Sequence, residues 1–275
     1  ICFSRSGPPF PVKRTCLCSG DDAYVHTDCL AKAMRLRPGL HPMLRWGQCQ
    51  ECGSNMEGAL ALELAWQGHA EAKRISDVYC ECDQLESARR LHFQVHGDFG
   101  GAYALVKAKF QDALVRLQVC HPDAAQHMVQ KAMVTLHEDL LGSEHVDLDD
   151  PRNVAQFVMS LDDTLAYFRA QMTDGGFKLA LRASGVQIMA LASSDDTVLQ
   201  KLAVTRSRDA LAWSVLPAVA EIEMGAKLRA VAAINLDFAA GTAMRKLKET
   251  RDEGTELVKR SIAEAKRVLG PHHPS

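Results

Sequence analysis

Cys16 and Cys18, His26 and Cys29, and Cys49 and Cys52 form three short-spaced pairs. Seven residues separate the first two pairs and nineteen the last two. Side chains two or three positions apart can face one ion across a tight turn. Zinc takes four such ligands in a tetrahedron, with Zn–S distances near ~2.3 Å. One pair is half a site, and two pairs from distant parts of the chain complete it and close the loop between them. Gly20 and Gly53 suit the tight turns that ligand pairs need. Of the nine cysteines, only Cys80, Cys82 and Cys120 lie beyond residue 52. An even set in a short secreted chain would suggest disulfides. A histidine among closely paired cysteines in a 275-residue chain suggests metal. The bland alternative is a scatter of buried cysteines with a surface histidine, and three short pairs in this order argue against it.

The run "CLCSGDDAYVHTDCL" and the Cys49-x-x-Cys52 pair resemble the RING-CH family, the variant RING finger with four Cys, one His and three Cys in chain order. The likeness covers about residues 1 to 55. That family folds as a cross-brace, in which pairs one and three share a zinc and pairs two and four share the other. Carried over by position, the resemblance assigns Cys2, His26 and Cys29 to one zinc, and Cys16, Cys18, Cys49 and Cys52 to the second. The family's first Cys falls two positions before Ile1. The chain, which starts with Ile and not Met, is therefore expected to be a fragment or a processed chain, with one complete zinc site of two. A structural zinc of this kind drives folding, with apparent binding energies on the order of 10–16 kcal/mol in small zinc-finger peptides.

The resemblance also implies a function, recruitment of a ubiquitin-conjugating enzyme by a ubiquitin ligase. Such a ligase does no covalent chemistry itself and positions a charged carrier for attack by a lysine. Ile1 falls at the family's hydrophobic contact residue, and Trp46 is a second partner-binding candidate for the same groove; the plain reading of Trp46 is core packing. The chain departs from the family at Ala33, where a Trp is frequent, at Gln50, where a Pro is frequent, and at Gly53, where a basic residue is frequent. These departures favour the alternative, a non-enzymatic zinc-finger adaptor or scaffold.

The elements behind this module read as helices. Hydrophobic residues make up 47% and aromatics only 6%, a bias that favours helix over strand. Residues 59–74 place Leu60, Leu62, Leu64, Ala65 and Trp66 on a buried side. Residues 102–119 repeat Leu105, Val106, Ala108, Phe110, Ala113, Leu114 and Leu117 at three- and four-residue steps. Pro122, Pro151, Gly175-Gly176, Gly185, Pro217 and Gly254 read as punctuation. No segment alternates long enough to predict a strand.

"LLGSEHVD" and "VLGPHHPS" set Gly142 and Gly270 128 residues apart, with Gly185 and Gly225 near intermediate positions. The phrase "AKRVLGPHHP" resembles the end of a tetratricopeptide repeat of the kinesin-light-chain type, a helix–turn–helix unit of roughly 42 residues. The likeness places Phe238 on the first helix of that unit, and Val258 and Ser261 on the second. Ser261 keeps the family's small residue, whereas Gly241 and Arg245 depart from it. An irregular bundle with Gly-His turns is the alternative.

The expected fold is thus mainly α: a small zinc-bound cross-brace module over 1–56, then a tetratricopeptide-like solenoid or bundle over 59–275. The partners expected are a ubiquitin-conjugating enzyme and a peptide or protein client on the repeats. A net charge of −2 gives no argument for nucleic acid or an anionic membrane, and Lys32, Arg35, Arg37 and Arg45 read as a solvated face. The longest apolar stretch, residues 211–222, holds Pro217 and Glu221 and is too short to span a bilayer. With no signal-peptide pattern, a soluble cytoplasmic protein is expected. Cys80 and Cys82, with His92 and His96 nearby, read as separated cysteines on a helix or, less simply, as a further metal site. Asp162-Asp163 and Asp195-Asp196 are expected at helix starts or loops, where carboxylates favour the helix dipole. No phosphate loop, nucleophile elbow or metalloprotease helix is present.

Overall fold

The computed structural model describes residues 12–13, 24–36, 46–47, 49, 56–97, 99–141, 143, 145–171, 173–220 and 226–269. The protein is mainly α-helical, and it divides into two compact units, Ile1–Val129 and Gln130–Ser275.

The first unit opens with a two-residue ladder, β1 (Val12–Lys13) against β2 (Tyr24–Val25), antiparallel with Val12 opposite Val25. Strands this short leave no alternation to find, which is why no strand was predicted. Helix α1 (Thr27–Leu36) buries Leu30, Ala31 and Met34, one face at three- and four-residue spacing. Helices α2 (Gly58–Arg74), α3 (Val78–His96) and α4 (Gly101–Cys120) follow, and α3 packs against both neighbours. Asp77 caps α3, its side chain accepting from Cys80 N–H at 2.9 Å. Leu60, Leu64 and Ala65 of α2 share one apolar core with Met34, Trp46, Cys49 and Met56.

The buried stripe of α4 is narrower than its apolar residues suggest. On α4 the buried stripe is Tyr103, Val106, Phe110, Ala113 and Leu117, whereas Leu105 is 58% exposed and Ala108 faces solvent. A helix that packs on one side keeps only the positions nearest its neighbour. The sandwiched α3 also buries polar groups, among them Arg89, which donates to Tyr103 Oη of α4 at 2.7 Å and to Glu86 at 3.2 Å.

Helix α5 (Pro122–Leu140) carries the division between the units. Beyond it lie α6 (Pro151–Gln171), α7 (Asp174–Ser193), α8 (Thr197–Ser214), the single turn α9 (Pro217–Ala220), α10 (Ala226–Met244) and α11 (Arg251–Leu269). In the second unit α7 packs against α6, α8 and α10, and α10 packs against α8 and α11. Phe157, Leu161, Phe177, Leu181, Ile188, Leu191 and Leu236 fill the core between them.

Gly185, read as punctuation, lies mid-way along α7, where buried Val186, Gln187 and Ile188 carry the helix through. Asp162 likewise sits inside α6 and not at a helix start. It accepts from Gln187 Nε2 at 2.9 Å and pairs with Arg206 at 3.1 Å, tying α6 to α7 and α8. Asp196 does cap α8, accepting from the backbone N–H groups of Val198 and Leu199 at 2.7 and 3.1 Å. Phe238 falls on α10, and Val258 and Ser261 on α11. Gly142, Gly225 and Gly270, which anchor the repeat spacing, lie outside the described residues. Among the described residues no helix is long and apolar enough to cross a membrane.

Candidate metal centre

Three of the predicted ligands are described. His26 follows β2 directly, and its carbonyl accepts the first bond of α1 from Leu30 N–H at 3.0 Å. His26 is therefore the N-cap and Cys29 the third residue of the helix. These are the two positions that a capping box joins across a first turn. The His-x-x-Cys spacing thus puts both residues on the first turn of one helix. His26 is 8% exposed and Cys29 is half-buried.

Cys49 is 3% exposed and joins the core of the first unit. In the sequence it lies between Gly47 and Met56, which a bond from Met56 N–H to Gly47 O joins at 2.9 Å. Cys2, Cys16, Cys18, Cys52 and Ile1 lie outside the described residues. No group of three potential metal ligands occurs among the described residues. The cross-brace assignment places His26 and Cys29 in one site and Cys49 in the other, so no three described ligands would meet there in any case. A donor set of thiols with one imidazole suits zinc.

Trp46 is 3% exposed and fills the core. Gly68 makes room for it: a Cβ at Gly68 would come within 2.7 Å of Trp46 Cγ and 2.6 Å of Gln84 Oε1. Of its two readings, partner contact and core packing, the ring adopts core packing. Cys80 and Cys82 are both buried on α3, and burial first, then the Glu81 charge, pushes the Cys82 thiol up to about 12.

A charged cleft of about 280 Å³ lies elsewhere in the first unit, lined by His69, Lys73, Glu81, Lys109, Asp112 and Arg116. Arg116 forks Glu81 at 2.9 and 3.0 Å. Burial of Glu81 works against its ionisation. The Arg116 bonds and charge, with His69 and Lys73, outweigh it and hold the carboxyl below its ordinary value. His69 lies 3.5 Å from Glu81, but burial, helped by Lys109 and Lys73, lowers its pKa. At neutral pH that contact joins a neutral imidazole to a carboxylate, so Arg116 is the partner that holds Glu81.

Sequence reading missed one further constellation, His137 on α5 bonded to Ser160 on α6 at 2.6 Å. Neither residue stands in a recognisable motif, so only their juxtaposition reveals them. Family models, curated proteins and solved structures were all compared with this chain, and none matches.

Proposed function

We propose that this is a zinc-binding protein-interaction protein, with the metal held by the cysteines and histidine of the N-terminal segment. One observation carries the reading. His26 caps α1 and Cys29 is its third residue, immediately after a short antiparallel ribbon. Such a ribbon-then-helix placement fits the second and third ligand pairs of a RING-CH module. Cys16, Cys18, Cys49 and Cys52 would hold one zinc, and Cys2, His26 and Cys29 would contribute to another. Each ion would tie distant turns together and stabilise a segment with few core residues. The helical hairpins that follow, read as tetratricopeptide-like, would hold a protein or peptide client on their surfaces.

Two roles fit such a protein, a RING-type ubiquitin ligase and a non-enzymatic adaptor. Burial of Trp46 in the core and the presence of Ala33 on α1 favour the adaptor, because both leave the groove for a conjugating enzyme without its aromatic contact. Metal analysis after dialysis against a mild chelator tests the zinc reading. One zinc per chain should remain tightly held, and a second should be lost easily. No retained zinc overturns the proposal. Auto-ubiquitination against a panel of conjugating enzymes separates the two roles: ubiquitin chains on the protein mean a ligase, and none with any enzyme means an adaptor.

A further inference from the structure

His92 and His96 stand one turn apart on α3, at the i and i+4 positions that share one face of a helix. Their ring centres are 4.4 Å apart and the ring planes are inclined at 44°. His92 is 9% exposed, and its Nδ1 is wholly buried with no hydrogen-bond partner among the described residues. His96 is exposed at the last position of the helix. A buried polar atom without a hydrogen bond costs stability, and an apolar side chain of similar size would fill the same place without that cost. What the ring offers instead is a nitrogen donor beside a second one.

We infer that His92 and His96 together bind a divalent transition-metal cation of the zinc or nickel class through one ring nitrogen each. With metal–nitrogen bonds of about 2.0–2.1 Å and a nitrogen about 1 Å from its ring centre, one ion can hold two rings whose centres are up to about 6 Å apart. The 4.4 Å between these centres lies within that reach. Imidazole suits zinc and nickel, and two histidines four residues apart on a helix can close on one ion. The place in the helix also favours a cation. Gly97 ends α3 in the left-handed conformation at φ 69°, its N–H bonded to Phe93 O at 2.7 Å. The carbonyls of that last turn put the negative end of the helix dipole beside His96. Arg89, one turn before His92, already pairs with Glu86 at 3.2 Å, which offsets its charge. Cys82 lies ten residues before His92, about 15 Å along the helix, so the buried cysteines take no part. Two protein donors leave the remaining positions to water, and the bound ion clamps the last turn of α3. Neither histidine belongs to the N-terminal ligand set, so this binding is independent of zinc there.

The test is amide hydrogen exchange of the full chain with and without Ni2+, read on the peptide covering residues 91–97. A clamp suppresses fraying of the last turn. Ni2+ at about ten times its half-saturating concentration should therefore slow exchange there about tenfold. His96→Gln should abolish the slowing. So should Gln94→His combined with His96→Gln, which keeps the number of histidines but sets the two on different faces. Both changes fall on exposed positions, so the core is left as it is. Metal taken up by the N-terminal cysteines would act equally on the unaltered chain and the variants, so the difference between them is the readout. No slowing in the unaltered chain overturns the inference, and so does equal slowing in either variant.

Discussion

Glu81 is 5% exposed on α3, a helix enclosed by two others, and its carboxylate rests on one guanidinium. A buried carboxylate that loses its partner keeps its desolvation penalty with nothing to offset it. Arg116→Ala should therefore destabilise the first unit, but the Arg116 side chain is 43% exposed and water screens part of the loss. The expected cost is about 1–2 kcal/mol, read from urea unfolding. The pH dependence has a definite sign. The folded pKa of Glu81 lies below its ordinary 4.5, so its contribution is present above that value and is lost as pH falls through the folded one. Arg116→Ala should lose this acid-side dependence. His69 is also depressed, below 6.5. Between 6.5 and its folded value the unfolded chain binds the extra proton, so stability drops as pH falls below 6.5. A His69→Gln variant should show a shallower fall of melting temperature over that window, and an unchanged slope would count against the assignment.

Elements meet most closely where α10 crosses α11. A Cβ at Gly241 would come within 2.8 Å of Gly254 O, and one at Gly254 within 2.6 Å of Gly241 O. Both obstacles are backbone, which cannot turn aside as a side chain can. Gly254→Ala should force the helices apart and destabilise the second unit by about 1–3 kcal/mol, as overpacking does, measured by thermal unfolding. Outward movement without loss of stability would mean the crossing is looser than its distances indicate. The crossing thus has no room for a leucine at Gly241. At the start of α8 the exposed end depends on its cap. Asp196→Ala removes the acceptor for two backbone N–H groups and should lower stability by about 1 kcal/mol, checked by the same unfolding curve.

At the scale of the molecule, the ligand-bearing segment and the first helical hairpin share a core through Met34, Trp46, Cys49, Leu64 and Ala88. Under the zinc proposal, removing metal with a strong chelator should therefore loosen more than the ligand loops. Amide exchange should speed up in α1 and α2, whereas α7, in the core of the second unit, should keep its protection. Uniform loss of protection in both units would show that the metal acts on the whole chain. No change in α1 or α2 would show that no metal supports this core.

Legible in the residues alone were the helical class, the buried positions Leu60, Leu64 and Ala65 of α2, the Asp196 cap and the His-x-x-Cys spacing. Each of these is local: the helical period and a cap are set by residues a few positions apart. The exposed side of α4, the mid-helix places of Gly185 and Asp162, and the burial of Trp46 against Gly68 were decided only by the tertiary structure. So was the meeting of His137 with Ser160, 23 residues apart on separate helices. Each depends on which neighbour covers a given face, and a single chain's periodicity carries no record of what packs against it.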